Sequence, residues 1–138
     1  MFNLLNKLKK NKMKYINLIP AYLLAIIFIV FGANFFLHFL TMPPMAGDAG
    51  TFAGILYTTG FLTVVKILEI TVGALLLFNK TRPLALLLIA PIVVNIFLFE
   101  ILIAHKPGIG VIILIINAIA IYQNKKSYLP IIGAGKTA

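Results

Sequence analysis

The stretch Gly60-Phe-Leu-Thr-Val-Val-Lys-Ile-Leu-Glu-Ile-Thr-Val-Gly-Ala-Leu-Leu-Leu-Phe78 decides how this chain is read. It is apolar enough to lie in a bilayer, yet it carries Lys66 and Glu69 near its middle. A charge at that depth costs roughly 2.5–3.5 kcal/mol on insertion scales, so it turns toward the protein interior and finds a partner. Lys66 and Glu69 stand three residues apart, about 60° around a helix, and so neutralise one another. The stretch therefore predicts an all-α integral membrane bundle built around a buried ionic pair.

Composition agrees. The chain has 138 residues and is 62% hydrophobic, with a mean hydropathy of +1.07. A soluble domain holds roughly 45–50% apolar residues. The absence of cysteine excludes disulfides, thiolate metal sites, Fe–S clusters and thiol redox by the chain's own side chains. The net charge of +9 lies in short runs beside apolar segments, as expected of topology signals and anionic headgroup contacts. No basic groove or aromatic platform accompanies it, so a nucleic-acid partner is not expected.

Working outward, residues 1–14 hold Lys7, Lys9, Lys10, Lys12 and Lys14 among Phe2, Leu4, Leu5 and Leu8. They predict a short amphipathic helix on the cytoplasmic membrane surface. The apolar run from Tyr15 to Leu40 is too long for a signal peptide and reads as a signal anchor, span one, over about 16–40. Pro43 and Pro44 end it. Asp48 then reads as the N-cap of a short segment, Ala49 to Thr58, too short to cross a bilayer. Residues 41–58 are thus expected to form an interfacial or re-entrant helix, a lid with Pro43, Pro44 and Asp48 at its edge.

Span two covers about 59–78, and Asn79-Lys-Thr-Arg82 is a tight polar turn before span three, about 83–104. Pro83 suits a first helical turn, and Pro91 predicts a kink. His105-Lys-Pro-Gly108 leads to span four, about 109–122, and residues 125–138 form a tail. The transmembrane domain, 15–124, is expected to be an up-down four-helix bundle. With both termini cytoplasmic, the inner segments collect the five amino-terminal lysines, Lys80, Arg82, Lys125, Lys126 and Lys136, and the outer loops only Lys106. That asymmetry predicts a multi-pass protein of a bacterial inner (cytoplasmic) membrane with N and C termini inside.

At about 1.5 Å of rise per residue, His38 and Glu100 fall near the outer boundary. Asn34, Lys66, Asn95 and Asn117 fall roughly 9–14 Å below it, with Glu69 slightly deeper. All four spans contribute, and the inner halves are nearly pure Leu, Ile and Val. These seven are the candidate ligand-binding or proton-handling residues. Helical phase turns Asn34, Lys66 and Asn117 inward. Asn95 is taken as inward, positioned to satisfy a carbonyl freed by Pro91, while Glu100 is left ambiguous.

Each also has a plainer use. The Lys66–Glu69 pair serves equally as a structural clasp, the asparagines as interhelical hydrogen-bond donors, and His38 as a headgroup-level residue. The glycines of spans two and four read as close-packing sites. Haem held by two histidines is not expected, because His105 is a turn residue and poorly placed to face His38 across a cavity. Nothing suggests a metal site, a phosphate loop or a hydrolytic triad, and no catalytic residue is assigned.

Phe31-Gly-Ala-Asn-Phe-Phe-Leu-His38, Met42-Pro-Pro-Met45, Lys66-Ile-Leu-Glu69 with Gly73, and Pro91-Ile-Val-Val-Asn95-Ile-Phe-Leu-Phe99 together resemble the DoxX family of small bacterial four-helix membrane proteins. The resemblance covers about residues 16–123. Glu100 departs from it, standing where the family favours His, which counts against histidine-dependent chemistry at that position. The family takes its name from a subunit of a thiosulfate:quinone oxidoreductase. Other members are linked to membrane redox complexes acting with soluble thiol or superoxide enzymes, and distant animal relatives include a chaperone for acetylcholine-receptor assembly.

The resemblance implies a redox-associated subunit binding a quinone or similar lipophilic molecule in the outer-half cavity, with a redox partner protein. Two alternatives stand beside it: a non-enzymatic scaffold or assembly factor whose ion pair is purely structural, and a small transporter acting as a homo-oligomer.

Overall fold

The computed structural model describes residues 1–133; Lys136 and the rest of the tail from residue 134 lie outside the described residues. The fold is all-helical: α1 (Phe2–Ile16), α2 (Ile19–Leu37), α3 (Gly47–Thr58), α4 (Phe61–Leu76), α5 (Arg82–Leu98) ending in a π-helical turn (Phe99–Ile103), α6 (Ile109–Gln123) and α7 (Lys125–Tyr128). Two helical units are long and apolar enough to cross a membrane, Phe2–Leu37 and Arg82–Ile103, or three if α3 and α4 count as one bent span.

α1 does not turn aside to form a separate surface helix. Asn17 and Leu18 both stay in the right-handed helical region, so α1 and α2 run on as one unit of 36 residues. Pro20 is tolerated there because it falls in the first turn of α2, where its missing N–H costs nothing. Every residue of α1 is outside the core.

α2, α4, α5 and α6 pack around one core. α2 and α5 each lie against both α4 and α6, which closes the group into a ring of neighbours. The buried positions recur at helical spacing: Ala21, Leu24, Ala25 and Phe28 on α2; Val72 and Leu76 on α4; Ala85, Leu86, Ile89 and Val93 on α5; Ile113 and Ala120 on α6. Outward faces are equally apolar, with Ile26, Val64, Ile67, Leu88 and Ile115 all exposed. A soluble helix would place charge there, and a lipid-facing one places Leu and Ile.

The closest helix pair is α2 with α4, and glycine permits it. A Cβ on Gly32 would sit 2.6 Å from Ile70 Cγ1 and 3.3 Å from the Lys66 carbonyl oxygen. A Cβ on Gly73 would meet Ile29 Cγ1 at 2.9 Å and the Ala25 carbonyl oxygen at 3.3 Å. Backbones approach this closely only when small residues face each other, as in membrane helix pairs generally.

Several boundaries differ from those the sequence implies. α2 stops at Leu37, well before Pro43, because His38 adopts a left-handed conformation (φ 53°) and ends it. α3 begins at Gly47, so Asp48 lies inside the first turn and makes no side-chain cap; the capping position is Ala46. The Thr59–Gly60 junction bends α3 from α4 by 82°, with Gly60 at φ 77°. α3 therefore lies across the bundle end as a lid-like helix, held by Phe35–Tyr57 and Phe52–Phe99 ring contacts at 5.8 Å each. Pro91 leaves α5 unbroken; the irregularity comes two to three turns later, as the π-helical turn.

α4 (16 residues) is shorter than the expected span 59–78, whereas α6 (15 residues) covers the expected stretch 109–122. They rise only about 24 and 22 Å, against a hydrocarbon thickness of about 30 Å.

Replacing Gly32 or Gly73 by Leu is expected to destabilise the α2–α4 pair by about 1–3 kcal/mol or more through overpacking. Thermal unfolding in detergent, followed by helical circular dichroism, would show a lower midpoint for both. Gly54→Ala, whose added methyl meets nothing within 4 Å, should leave the midpoint unchanged or slightly raised.

Candidate functional site

The ion pair forms as its spacing implies. The Lys66 ammonium donates to both carboxylate oxygens of Glu69, at 3.1 and 2.8 Å. The Glu69 side chain is 3% exposed and that of Lys66 20%. Glu69 lies on the α4 stripe that also buries Val72, Gly73 and Leu76, the face turned to α2 and α5. Adjacent to this level, Asn34 is buried on α2.

Asn34 does not reach toward the pair. Its Oδ1 accepts the Leu40 N–H at 2.6 Å, and its Nδ2 donates to the Leu40 carbonyl at 3.2 Å. One side chain thus closes the knuckle after α2, which is why the helix ends where it does. His38, the left-handed residue of that knuckle, is exposed. Pro43, Pro44 and Asp48 are exposed as well.

The expected inward position of Asn95 is not what forms. Asn95 is exposed, and its Nδ2 donates at 2.8 Å to the carbonyl of Pro91 on its own helix. The carbonyl that Pro91 frees belongs to Leu87, four residues back, so Asn95 does not serve it. Asn117 is buried and donates at 3.4 Å to the Leu86 carbonyl of α5. Leu86 lies one turn from Arg82, so this contact falls near the opposite end of α5 from Glu100 and outside the Lys66–Glu69 layer.

Glu100 is resolved by its partners. It sits in the π-helical turn, and its carboxylate accepts the N–H of Gly108 at 2.9 Å and that of Gly110 at 2.9 and 3.0 Å. Those amides belong to the start of α6, where intrahelical acceptors are missing and the helix dipole favours negative charge. Gly110 leaves no room for a side chain: a Cβ there would lie 2.6 Å from Glu100 Oε2 and 3.0 Å from Phe97 Cα, while one on Gly108 would be a tight 3.1 Å from Oε1. The π turn widens the helix by one residue and brings the carboxylate over the α6 terminus, and the Glu100 carbonyl also accepts the Lys106 N–H at 2.9 Å.

Arg82 is the polar residue that sequence reasoning undervalued. It reads as one more topology charge, yet it is 4% exposed. Its Nε donates to the Leu76 carbonyl at 2.9 Å, one Nη to Asn79 Oδ1 at 2.8 Å and the other to the Leu77 carbonyl at 3.4 Å. Thr81 Oγ1 adds a bond to the Leu75 carbonyl at 2.7 Å, and the guanidinium lies 5.4 Å from the Tyr22 ring centre. The orphan carbonyls at the end of α4 are thereby satisfied. A signal for this was present: an Arg-Pro pair opening one helix just after another helix ends.

The seven candidate residues therefore do not converge on one cavity. They divide among an ion pair, a helix-end knuckle, a helix N-terminal cap, two carbonyl contacts and an exposed histidine. No buried side-chain nitrogen or oxygen among the described residues lacks a hydrogen-bond partner. Nor do any three His, Asp or Glu residues among them gather as metal ligands. Two grooves are present. One, about 330 Å³, lies between the lid and the π turn, lined by Asp48, Thr51, Phe52, Ile55, Leu102 and Ile103. The other, about 520 Å³, lies at the far end of the bundle, beside α1.

No family model, curated protein or solved structure matches the chain.

Arg82→Met is expected to lower the detergent unfolding midpoint, because it strands the buried α4 carbonyls; loss of a charged hydrogen bond costs about 1.5–3 kcal/mol. Arg82→Lys should recover only part of the loss, since an ammonium cannot reproduce the planar fork that spans Leu76, Leu77 and Asn79. Equal midpoints for wild type and Arg82→Met would show that the guanidinium contributes nothing to the α4 end.

Proposed function

We propose that this chain is a four-span protein of a bacterial cytoplasmic membrane, with both termini on the cytoplasmic side, and that it acts as a non-enzymatic scaffold or assembly factor. α2, α4, α5 and α6 are its spans. The short ones, α4 and α6, are tolerated because their ends are satisfied within the protein, where unsatisfied backbone groups would otherwise meet hydrocarbon. The cation-rich connections at the Arg82 end support the orientation.

The observation that carries the scaffold reading is the saturation of the buried polar groups by the chain itself. Both Glu69 oxygens are taken by Lys66, both Glu100 oxygens by the start of α6, and the Arg82 fork by the end of α4. Groups so committed hold helices in register. The broad apolar outer faces are then available to lipid and to a partner protein, in keeping with the assembly role of some relatives in the resembled DoxX family.

A second reading is favoured by one observation. The Lys66 side chain is a fifth exposed, where that of Glu69 is not, so the pair is approachable from the lysine side. A quinone-like carbonyl or another lipophilic acceptor would approach from that side, as the redox branch of the resemblance implies, with electrons supplied through a partner.

One pair of variants separates the two. Lys66→Met leaves a buried carboxylate unpaired and is expected to cost about 3 kcal/mol or more, whereas Lys66→Met with Glu69→Leu removes both charges and should return to near wild-type stability. The scaffold reading expects the double variant to retain its crosslinked partner. A double variant that folds but has lost a stoichiometric lipophilic molecule carried by the wild type, detected by mass spectrometry, would establish the ligand reading instead.

A further inference from the structure

The end of the molecule opposite the lid is unusual in its charge. It holds Lys7, Lys9, Lys10, Lys12 and Lys14 of α1, Lys80 and Arg82 of the α4–α5 turn, and Lys125 and Lys126 of α7. The chain's three acidic side chains all lie elsewhere: Asp48 in α3, Glu69 within α4 and Glu100 in the π turn. Lys66–Glu69 is the one ion pair among the described residues, so the cations of this end have no anionic side chain against them.

A groove of about 520 Å³ opens among these cations, where α1 passes the end of α6. Lys10, Lys14, Asn11, Asn17, Gln123 and Asn124 supply polar walls, and Met13 and Leu18 complete it. Lys7, Lys10 and Lys14 follow one another at i, i+3 and i+7, a single stripe along α1. Asn124 uses one amide donor on the Ala120 carbonyl at 2.8 Å, which leaves its oxygen and second N–H available. The combination is two ammonium groups and several amides around a space open to bulk, with apolar side chains at its inner edge.

Depth identifies the occupant. Lys14 lies four residues before Leu18, about 6 Å beyond the start of the packed helices, and Lys10 about 12 Å. The polar headgroup layer begins at the hydrocarbon boundary and extends roughly 5–8 Å on each side of a bilayer. The groove mouth therefore lies where phosphates lie, and a lysine stem is long enough to turn its ammonium back to that level.

We propose that this groove binds the headgroup of an anionic glycerophospholipid. Lys10 and Lys14 bind the phosphate, the amides of Asn17, Gln123 and Asn124 bond the glycerol and ester oxygens, and the acyl chains run down the exposed apolar surface from Leu18. A bound lipid would neutralise the end of the bundle and brace α1, which otherwise packs on nothing in the core. The site is independent of the scaffold and ligand readings, since it shares no residue with the Lys66–Glu69 layer.

The test is native mass spectrometry of the full chain in mild detergent, titrated separately with phosphatidylglycerol, phosphatidylcholine and inorganic phosphate. The wild type should bind phosphatidylglycerol about tenfold more tightly than phosphatidylcholine, and Lys10→Gln with Lys14→Gln should bring the two close to parity. Lys9→Gln with Lys12→Gln removes the same charge from the far side of α1 and should keep most of the preference. All four lysines are exposed and outside the core, so neither pair should disturb folding. Equal loss in both double variants would overturn the proposal, reducing it to diffuse attraction. Displacement of phosphatidylglycerol by millimolar phosphate would also overturn it, assigning the groove to a free anion.

Discussion

Every α-helix leaves four N–H groups at one end and four carbonyls at the other without intrahelical partners, and this constraint shapes the molecule. α4 and α6 are the two shortest of the four packed helices, at 16 and 15 residues. The chain answers with two ionised side chains. Arg82 closes the carboxyl end of α4 from the first turn of α5. Glu100 closes the amino end of α6 from the last turn of the same helix. α5, the longer helix, thus caps its two shorter neighbours at opposite ends, with a cation on carbonyls and an anion on amides, as the helix dipoles favour. Asn34 does something different at the end of α2, tying down the following loop through the N–H and carbonyl of Leu40.

Much else is subordinate to those caps. The π turn lies where Glu100 is carried over the α6 terminus, and at Gly110 the carboxylate occupies the space a Cβ would need. Gly32 and Gly73 let α2 and α4 approach until backbone meets side chain. Against that tight interface the Lys66–Glu69 pair is neutralised within a single turn of one helix, so it asks nothing of its neighbours except room. A pair closed on itself is compatible with a purely structural role, while the partial exposure of Lys66 keeps one edge of it available.

The helical, membrane-compatible character was legible in the sequence because it depends on composition and on local spacing. Lys66 with Glu69 at i, i+3 was legible for the same reason. The short helix α3 was too, since two prolines and a following apolar dozen leave few alternatives. What escaped was long-range. Asn95 reads as inward by elimination from Glu100, but packing against α4 and α6 sets which face of α5 is inward, and the buried stripe Leu86, Ile89, Val93 leaves Asn95 on the other side. Arg82 reads as a topology charge, because nothing local shows that the guanidinium folds back onto the preceding helix. Gly32 sits in an unbroken apolar run; only the Ala21, Ala25, Gly32 stripe marks that face as the one another helix approaches. Asp48 reads as a cap by residue type, whereas Gly47, with its positive φ, starts the helix two residues earlier than that reading implies.

The most direct measurement of the capping principle is amide hydrogen exchange at Gly108 and Gly110, read by NMR in lipid bicelles for the wild type and for Glu100→Ala. If the carboxylate holds the α6 terminus, both amides exchange slowly in the wild type, as slowly as amides one turn into α6, and become fast in the variant while mid-helix protection persists. Fast exchange at both glycines in the wild type, or no change on removing Glu100, would contradict it and return Glu100 to the set of groups free to act on a ligand.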